Sequence, residues 1–310
     1  MDQRQRDNLS SWWQGKVQWD VDMADYSTLR AGGAAAALID VQDLDELRDL
    51  LGRLQVLDVR FRVIGRGSNI LVSEQGYSGV IIRLQGRLNE VTLQAGEKEP
   101  ESRVVVRAGA GCPMAAFVSW CTRHGLSGLE FMTGIPGSLG GAVRMNAGAW
   151  GHEIGEGLRE IELVDYSGRL HRVPVSELTL SYRKVALKEG ELDRMVITSA
   201  VFTLRPGRKE QIRERCNEFI ERRRGKQPAG VASAGSFFKN PQGDSAGRLI
   251  EAAGLKGTRC GQAMVSPVHA NFIVNTGNAT AADIVGLMQH IQEIVFQQFG
   301  VRLEPEVQIF

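Results

Sequence analysis

The 310-residue sequence predicts a protein of mixed helices and strands built in two parts. Three observations carry this. Strand-like and helix-like periodicities alternate from residue 36 to residue 207. The glycine loop "GRGSN" at 65–69 is followed by a strand pattern rather than by the helix that a Rossmann fingerprint requires. Near residue 207 the composition shifts abruptly to the charged run "RKEQIRERCNEFIERRRGKQP".

The elements follow in order. Residues 1–20 carry Trp12 and Trp13 in a polar context and read as a short amphipathic helix packed on the body. "AALIDV" (36–41) is a strand. "DLDELRDLLGRLQ" (43–55) places Leu44, Leu47, Leu51 and Leu54 at helical spacing. "VRFRVIG" (59–65) alternates and is a second strand, leading into the first glycine loop. Ile70–Val72 is strand-like, Ser73–Gly79 a turn, and 86–110 a hairpin. "PMAAFVSWCTRHG" (113–125) is helical and stops at glycine. Residues 128–158 form the densest glycine tract. Strands resume at 159–175, around a Ser-Gly turn, and at 195–207.

Beyond 207 the charged run is helical up to Pro228. A short helix at 246–254, a strand at "ANFIVN" and a long amphipathic helix at 280–300 complete the chain. Thr280 and Asp283 resemble a capping box, and Ile284, Leu287, Met288, Ile291, Ile294 and Val295 line the buried face.

Bulk properties narrow the function. Apolar residues are 43% and charged residues 24% of the chain, ordinary for a globular protein. The net charge of +1 offers no electrostatic case for nucleic acid or an anionic membrane. No apolar run reaches the roughly 18–20 residues that span a bilayer. The polar start "MDQRQRDNLSSWWQGK" lacks a signal-peptide core. The four cysteines have no C-x-x-C spacing, so reduced thiols, no metal site and a cytoplasmic home are expected.

Several stretches carry candidate chemistry. The glycine loops 65–69 and 134–141 let a ligand approach the backbone closely, and, converging, they could hold the pyrophosphate of a dinucleotide. Alternatively they only make turns. Arg183, in "LSYRKVALKEG", reads by itself as half of a surface ion pair. Glu306, in "LEPEVQIF", reads as a solvated carboxylate on an edge strand, with Pro305 favouring the edge. "SAGSFFKNP" (233–241) crowds a hydroxyl, an ammonium and an amide around two phenylalanines. Extended, it would put Ser236, Phe238 and Asn240 on one face and Phe237 and Lys239 on the other; a capped turn anchored by phenylalanine is the plain alternative. No G-x-S-x-G elbow surrounds Ser236, which argues against nucleophilic hydrolysis.

Six motifs in order, "GRGSNILV", "GIPGSLGGAVRMNAGAWG", "SYR", "SAGSFFKNP", "AGRLIEAAGLKG" and "HANFIVN", resemble those of the UDP-N-acetylenolpyruvoylglucosamine reductase family, in the subtype without an extra tyrosine loop. The resemblance runs from residue 26 to residue 307. It implies an α+β chain: an FAD-binding fold of the vanillyl-alcohol-oxidase type in two subdomains over 21–206, after an N-terminal extension (1–20), and a substrate-binding α+β domain over 207–310. It implies non-covalent FAD, held by Gly65, Arg66, Gly67, Ser68, Asn69 and Ile70, by Gly134, Ile135, Pro136, Gly137, Ser138, Gly140 and Gly141, and by Asn146, Ala147 and Gly148. It implies NADPH as hydride donor and the enolpyruvyl ether of UDP-N-acetylglucosamine as substrate, reduced to UDP-N-acetylmuramate for peptidoglycan. Ser236 is then the proton donor, Arg183 and Glu306 polarise the substrate carboxylate, and Tyr182, Lys239, Asn240 and His269 contact substrate. A monomer is expected. Ala34, Val185 and Ala232 depart from the family pattern, which touches substrate placement rather than the reaction. An FAD-dependent alcohol oxidase on the same fold and a non-catalytic sugar-nucleotide binding module are the competing readings.

Overall fold

The computed structural model describes residues 1–94, 103–189 and 191–310. The chain packs as two units, each discontinuous in sequence. One comprises Met1–Gln18, Ala37–Gly65 and Gly79–Glu221; the other Trp19–Ala36, Arg66–Ser78 and Arg222–Phe310.

The first unit is organised by an antiparallel sheet. Its strand order is Leu170–Pro174, Leu158–Asp165, Met195–Pro206, Val104–Gly109 and Val91–Leu93, with Leu126–Ser127 paired to the far end of the long strand. The hairpin expected at 86–110 is present as the antiparallel pair Val91–Leu93 and Val104–Gly109; its connection, 95–102, lies outside the described residues. Glu162 sits in mid-sheet at 5% exposure. Its carboxylate accepts from Ser199 Oγ at 2.6 Å, Arg172 Nε at 3.1 Å and Arg107. Burial alone would raise its pKa, but these donors and the two guanidinium charges hold it below the usual carboxylate value.

Helices dress the first unit for local reasons. Helix α1 (Gln3–Trp12) starts with an Asp2–Gln5 capping box and buries Leu9. Helix α2 (Leu44–Val56) is capped by Asp43, whose carboxylate accepts from the Asp45 and Glu46 N–H groups. Its buried residues are Leu47, Leu50, Leu51 and Leu54; Leu50 replaces the expected Leu44, which is half-buried in the first turn. Helix α3 (Met114–Arg123) buries Phe117 against Phe202 of the long strand, ring centres 5.3 Å apart. The glycine loop expected at 134–141 runs into helix α4 (Leu139–Arg144), capped by Ser138. Glycine-rich composition hid it, because Gly140 and Gly141 have poor helix propensity. Helix α5 (Lys209–Arg224) follows the sheet.

The second unit has a four-stranded sheet ordered Ala232–Ser233, Ile273–Asn275, Ala263–Val265 and Arg259–Cys260. Helices α6 (Ala246–Ala252) and α7 (Ala281–Phe299) belong to it. The Thr280–Asp283 capping box is formed, and Gly300 ends α7 in the left-handed conformation. The Glu74 carboxylate accepts from the Ala281 and Ala282 N–H groups, placing an anion where the helix dipole is positive. One core cluster joins Leu29, Leu71, Phe237, Phe238, Ile250 and Leu287. No described helix is long and apolar enough to cross a membrane. The four cysteines are free, and burial pushes Cys112 up to about 11 and Cys121 to about 12, far from the thiolate range.

Candidate functional site

In the first unit Gly65, which opens one glycine loop, lies against Ser138 of the other. A Cβ on Gly65 would lie 2.2 Å from Ser138 Oγ, so only glycine permits this approach. Ser138, 4% exposed, caps α4 through Gly141 N–H. The α4 entrance is held from behind, where Leu139 N–H donates to Cys112 O and Gly140 N–H to Ala110 O. Below the loop, buried Glu130 accepts from Ser127 Oγ at 2.7 Å and Gly128 N–H at 2.8 Å, with Arg215 at 3.8 Å. Glu130 thus fixes the turn that feeds Thr133–Ser138. Sequence reading passed over it, because an acid beside "FMTG" looks like surface.

Arg183 occupies the tip of the hairpin Leu178–Ser181 and Lys184–Leu187, with φ at +57°. Its guanidinium donates to Gly148 O at 3.4 Å and stands 5.0 Å over the Tyr182 ring. Tyr182 is 46% exposed. Asn146 is fully buried. Its amide donates to Ser181 O at 3.2 Å and to Glu153, and accepts from Gly155 N–H at 3.1 Å. Asn146 therefore ties the end of the glycine tract to the hairpin that carries Arg183, and Ala147 is buried beside it. Val185, a departure from the family pattern, is buried in this hairpin at 7% exposure, where an apolar side chain packs without an unmet hydroxyl.

In the second unit, residues 66–70 form a loop followed directly by the strand Ile70–Leu71, which pairs in parallel with Gln308–Ile309. Its carbonyls are committed to protein. Gly67 O accepts from Thr28 N–H at 3.0 Å, Asn69 O from Gln308 N–H at 3.0 Å, and Ile70 O from Ser27 Oγ at 3.1 Å. In a trans peptide the next N–H points the opposite way, so the Ser68 amide faces away from Thr28. Gly67 is at φ +66°, and any Cβ there would strike Tyr26 O. The positive φ of Gly67 and the Arg66 cation suit a pyrophosphate, and the non-Rossmann order read from sequence holds.

The same unit brings Ser236 and Glu306 onto neighbouring segments. Glu306 N–H donates to Phe237 O at 2.8 Å, Lys239 N–H donates to Glu304 O at 2.9 Å, and Phe238 bridges Pro305. Asn69 Nδ2 donates to Glu306 O at 3.0 Å. Two expectations change here. Glu306 is buried at 8% exposure, not a solvated edge carboxylate, because residues 237–239 and Asn69 cover its backbone. Phe237 and Phe238 are both buried, at 0% and 1%, so the motif does not alternate between faces; both rings enter the core. Lys239 Nζ lies 3.2 Å from Glu304. Asn240 Oδ1 accepts from Ala246 N–H at 3.1 Å, at the start of α6. His269 Nδ1 accepts from Asn271 N–H at 3.1 Å.

Known proteins resemble this chain over nearly its whole length. The reductase of Syntrophus aciditrophicus named UDP-N-acetylenolpyruvoylglucosamine reductase is 40% identical over 304 residues, 98% of this chain and 95% of its own. This chain belongs to the UDP-N-acetylenolpyruvoylglucosamine reductase family. The Carboxydothermus hydrogenoformans member is 42% identical over 93% of this chain and 91% of its own. A family profile described as "FAD binding domain" matches residues 35–174, and one for the C-terminal domain of UDP-N-acetylenolpyruvoylglucosamine reductase matches 227–310. The crystal structure of the reductase from Thermus caldophilus aligns with a TM-score of 0.78 at 37% identity, over 96% of this chain and 99% of that one. The family places the chain among FAD oxidoreductases with the α+β, FAD-binding fold expected from its motifs. FAD is therefore its cofactor, and glycine permits close backbone approach at Gly65 and Gly67.

Proposed function

We propose that the chain reduces the enolpyruvyl ether of UDP-N-acetylglucosamine enolpyruvate with NADPH, giving UDP-N-acetylmuramate. The observation that carries the proposal is full-length membership in the reductase family together with Ser236 and Glu306 on adjoining segments of one unit. FAD, which residues of the loops at 65–70 and 134–138 would hold, would supply the hydride chemistry between NADPH and the β-carbon of the enolpyruvyl group. The remaining work belongs to the chain.

Negative charge gathers on the carboxylate side of the substrate until the α-carbon is protonated. The planar Arg183 fork matches a carboxylate, and Glu306 acts with it to polarise that group. Ser236 Oγ supplies the proton. A hydroxyl is a weak acid, so this step needs a strongly basic enolate and little competing water. Phe237 and Phe238 serve it by anchoring the backbone in the core. Residues 207–310 are proposed as the substrate-binding part, with Tyr182, Lys239, Asn240 and His269 orienting the sugar nucleotide.

The test separates the two half-reactions. In Ser236→Ala, NADPH should still bleach the flavin at the wild-type rate. Reoxidation by the enolpyruvyl sugar nucleotide should fall by about 10²–10⁴-fold, the usual worth of a positioned acid. Loss of both halves, or of neither, refutes the role of Ser236.

A further inference from the structure

Ser236 follows Gly235, which sits at φ +77° and is the residue type that restrains its neighbours least. Its Cα must therefore be fixed from the Phe237 side. Residues 304–306 supply one border of that segment, through Lys239 N–H to Glu304 O and Glu306 N–H to Phe237 O. The other border is a single residue. Phe237 N–H donates to Asn271 O at 2.7 Å. Phe238 N–H donates to Asn271 Oδ1 at 2.9 Å, and Asn271 Nδ2 donates to Phe238 O at 2.8 Å. Asn271 N–H is taken by His269 Nδ1. Every polar group of Asn271 is thus engaged at 3% exposure.

We infer that Asn271 is a positioning residue for the proton-transfer step: its backbone carbonyl holds the peptide plane that follows Ser236, and its carboxamide, standing in for a neighbouring strand, holds the two peptide planes that flank Phe238. The inference rests on reading Ser236 as the proton donor. An amide is the side chain that presents a donor and an acceptor side by side, as a peptide edge does. An ionised aspartate offers acceptors alone and would face the Phe238 carbonyl with like partial charge. A protonated aspartate again has one donor and one acceptor.

That difference gives a test a merely structural role would not pass. In flavin-loaded Asn271→Asp at pH 8, reduction by NADPH stays at the wild-type rate. Reoxidation by UDP-N-acetylglucosamine enolpyruvate falls about 10–100-fold, the effect of ångström-scale misplacement. Burial raises the new carboxyl's pKa, so the ratio of variant to wild-type reoxidation recovers as pH is lowered towards 6. His269, with Lys256 and Glu251 acting on it, and Lys239, Glu304 and Glu306 on the neighbouring segment are common to both proteins and cancel in the ratio. Asn271→Ala, which cannot be rescued by protons, stays slow throughout. A ratio that does not move with pH, or equal loss of both half-reactions, overturns the inference. Ser236→Ala is measured in parallel. Reoxidation surviving there removes the reading of Ser236 itself; reoxidation lost there, with Asn271→Asp like wild type, removes only the role of Asn271.

Discussion

At the residue scale, His269 shows how a residue proposed to contact substrate also carries structure. Its Nδ1 must be unprotonated to accept from Asn271. Burial, and then the Lys256 charge, lower its pKa from 6.5, against smaller opposing effects of Glu251 and of a backbone hydrogen bond. The folded state therefore prefers the neutral ring. The stabilisation is fully present above the unfolded value of about 6.5 and is lost as pH falls through the lower folded value. Denaturant midpoints of wild type minus His269→Phe should be constant from pH 8 to 7 and shrink below about 6.5; a flat difference down to pH 5 would show that the ring is not the acceptor. Sequence located His269 by its motif neighbours but not Asn271, two residues on. The usable signal was a polar residue inside the otherwise apolar "ANFIV", where burial demands complete pairing. Glu306 escaped for the opposite reason: Pro305 suggested an exposed edge, and the cover over it comes from residues some seventy and two hundred and forty positions away, Phe237 and Asn69.

At the element scale, periodicity made α2, α3, α5 and α7 legible, since each carries an apolar stripe or a cap written in adjacent residues. Helix α4 was not, because its existence depends on packing rather than propensity: Ala110 and Cys112 accept its first N–H groups and Ser138 caps it. A meeting of the glycine tracts was legible only as a possibility, and the point the structure shows is Gly65 against Ser138. That contact is testable. Gly65→Ala forces a methyl to within 2.2 Å of Ser138 Oγ and should destabilise by about 1–3 kcal/mol, as overpacking does. Flavin retained per chain after gel filtration should fall with it. Ser138→Gly in the same chain removes the obstructing hydroxymethyl, so the double variant should recover part of the lost flavin. Additive losses in the double variant would mean that the two loops do not share this contact.

At the scale of the whole molecule, the charged run after residue 207 invites a cut there, yet the packing of the second unit draws on earlier segments. Its core cluster includes Leu29, Ala31 and Leu71. Asn275 Nδ2 donates to Leu29 O at 2.9 Å and Arg30 O at 3.2 Å, and the anion at the start of α7 is Glu74. A fragment 207–310 keeps α6, α7 and the four-stranded sheet but exposes the apolar surface that Leu29 and Leu71 cover. It also leaves the Asn275 amide without its acceptors. Two buried leucines are worth about 1.5–3 kcal/mol each, and a buried amide left unpaired costs about 1–3 kcal/mol. Together these rival the roughly 5–15 kcal/mol by which a domain is stable at all. The isolated fragment should therefore show no cooperative thermal transition by circular dichroism. Supplying residues 19–36 and 66–78 on the same chain, joined by flexible linkers, should restore one. A cooperative melt of 207–310 alone would show that the two early segments decorate this unit rather than complete it.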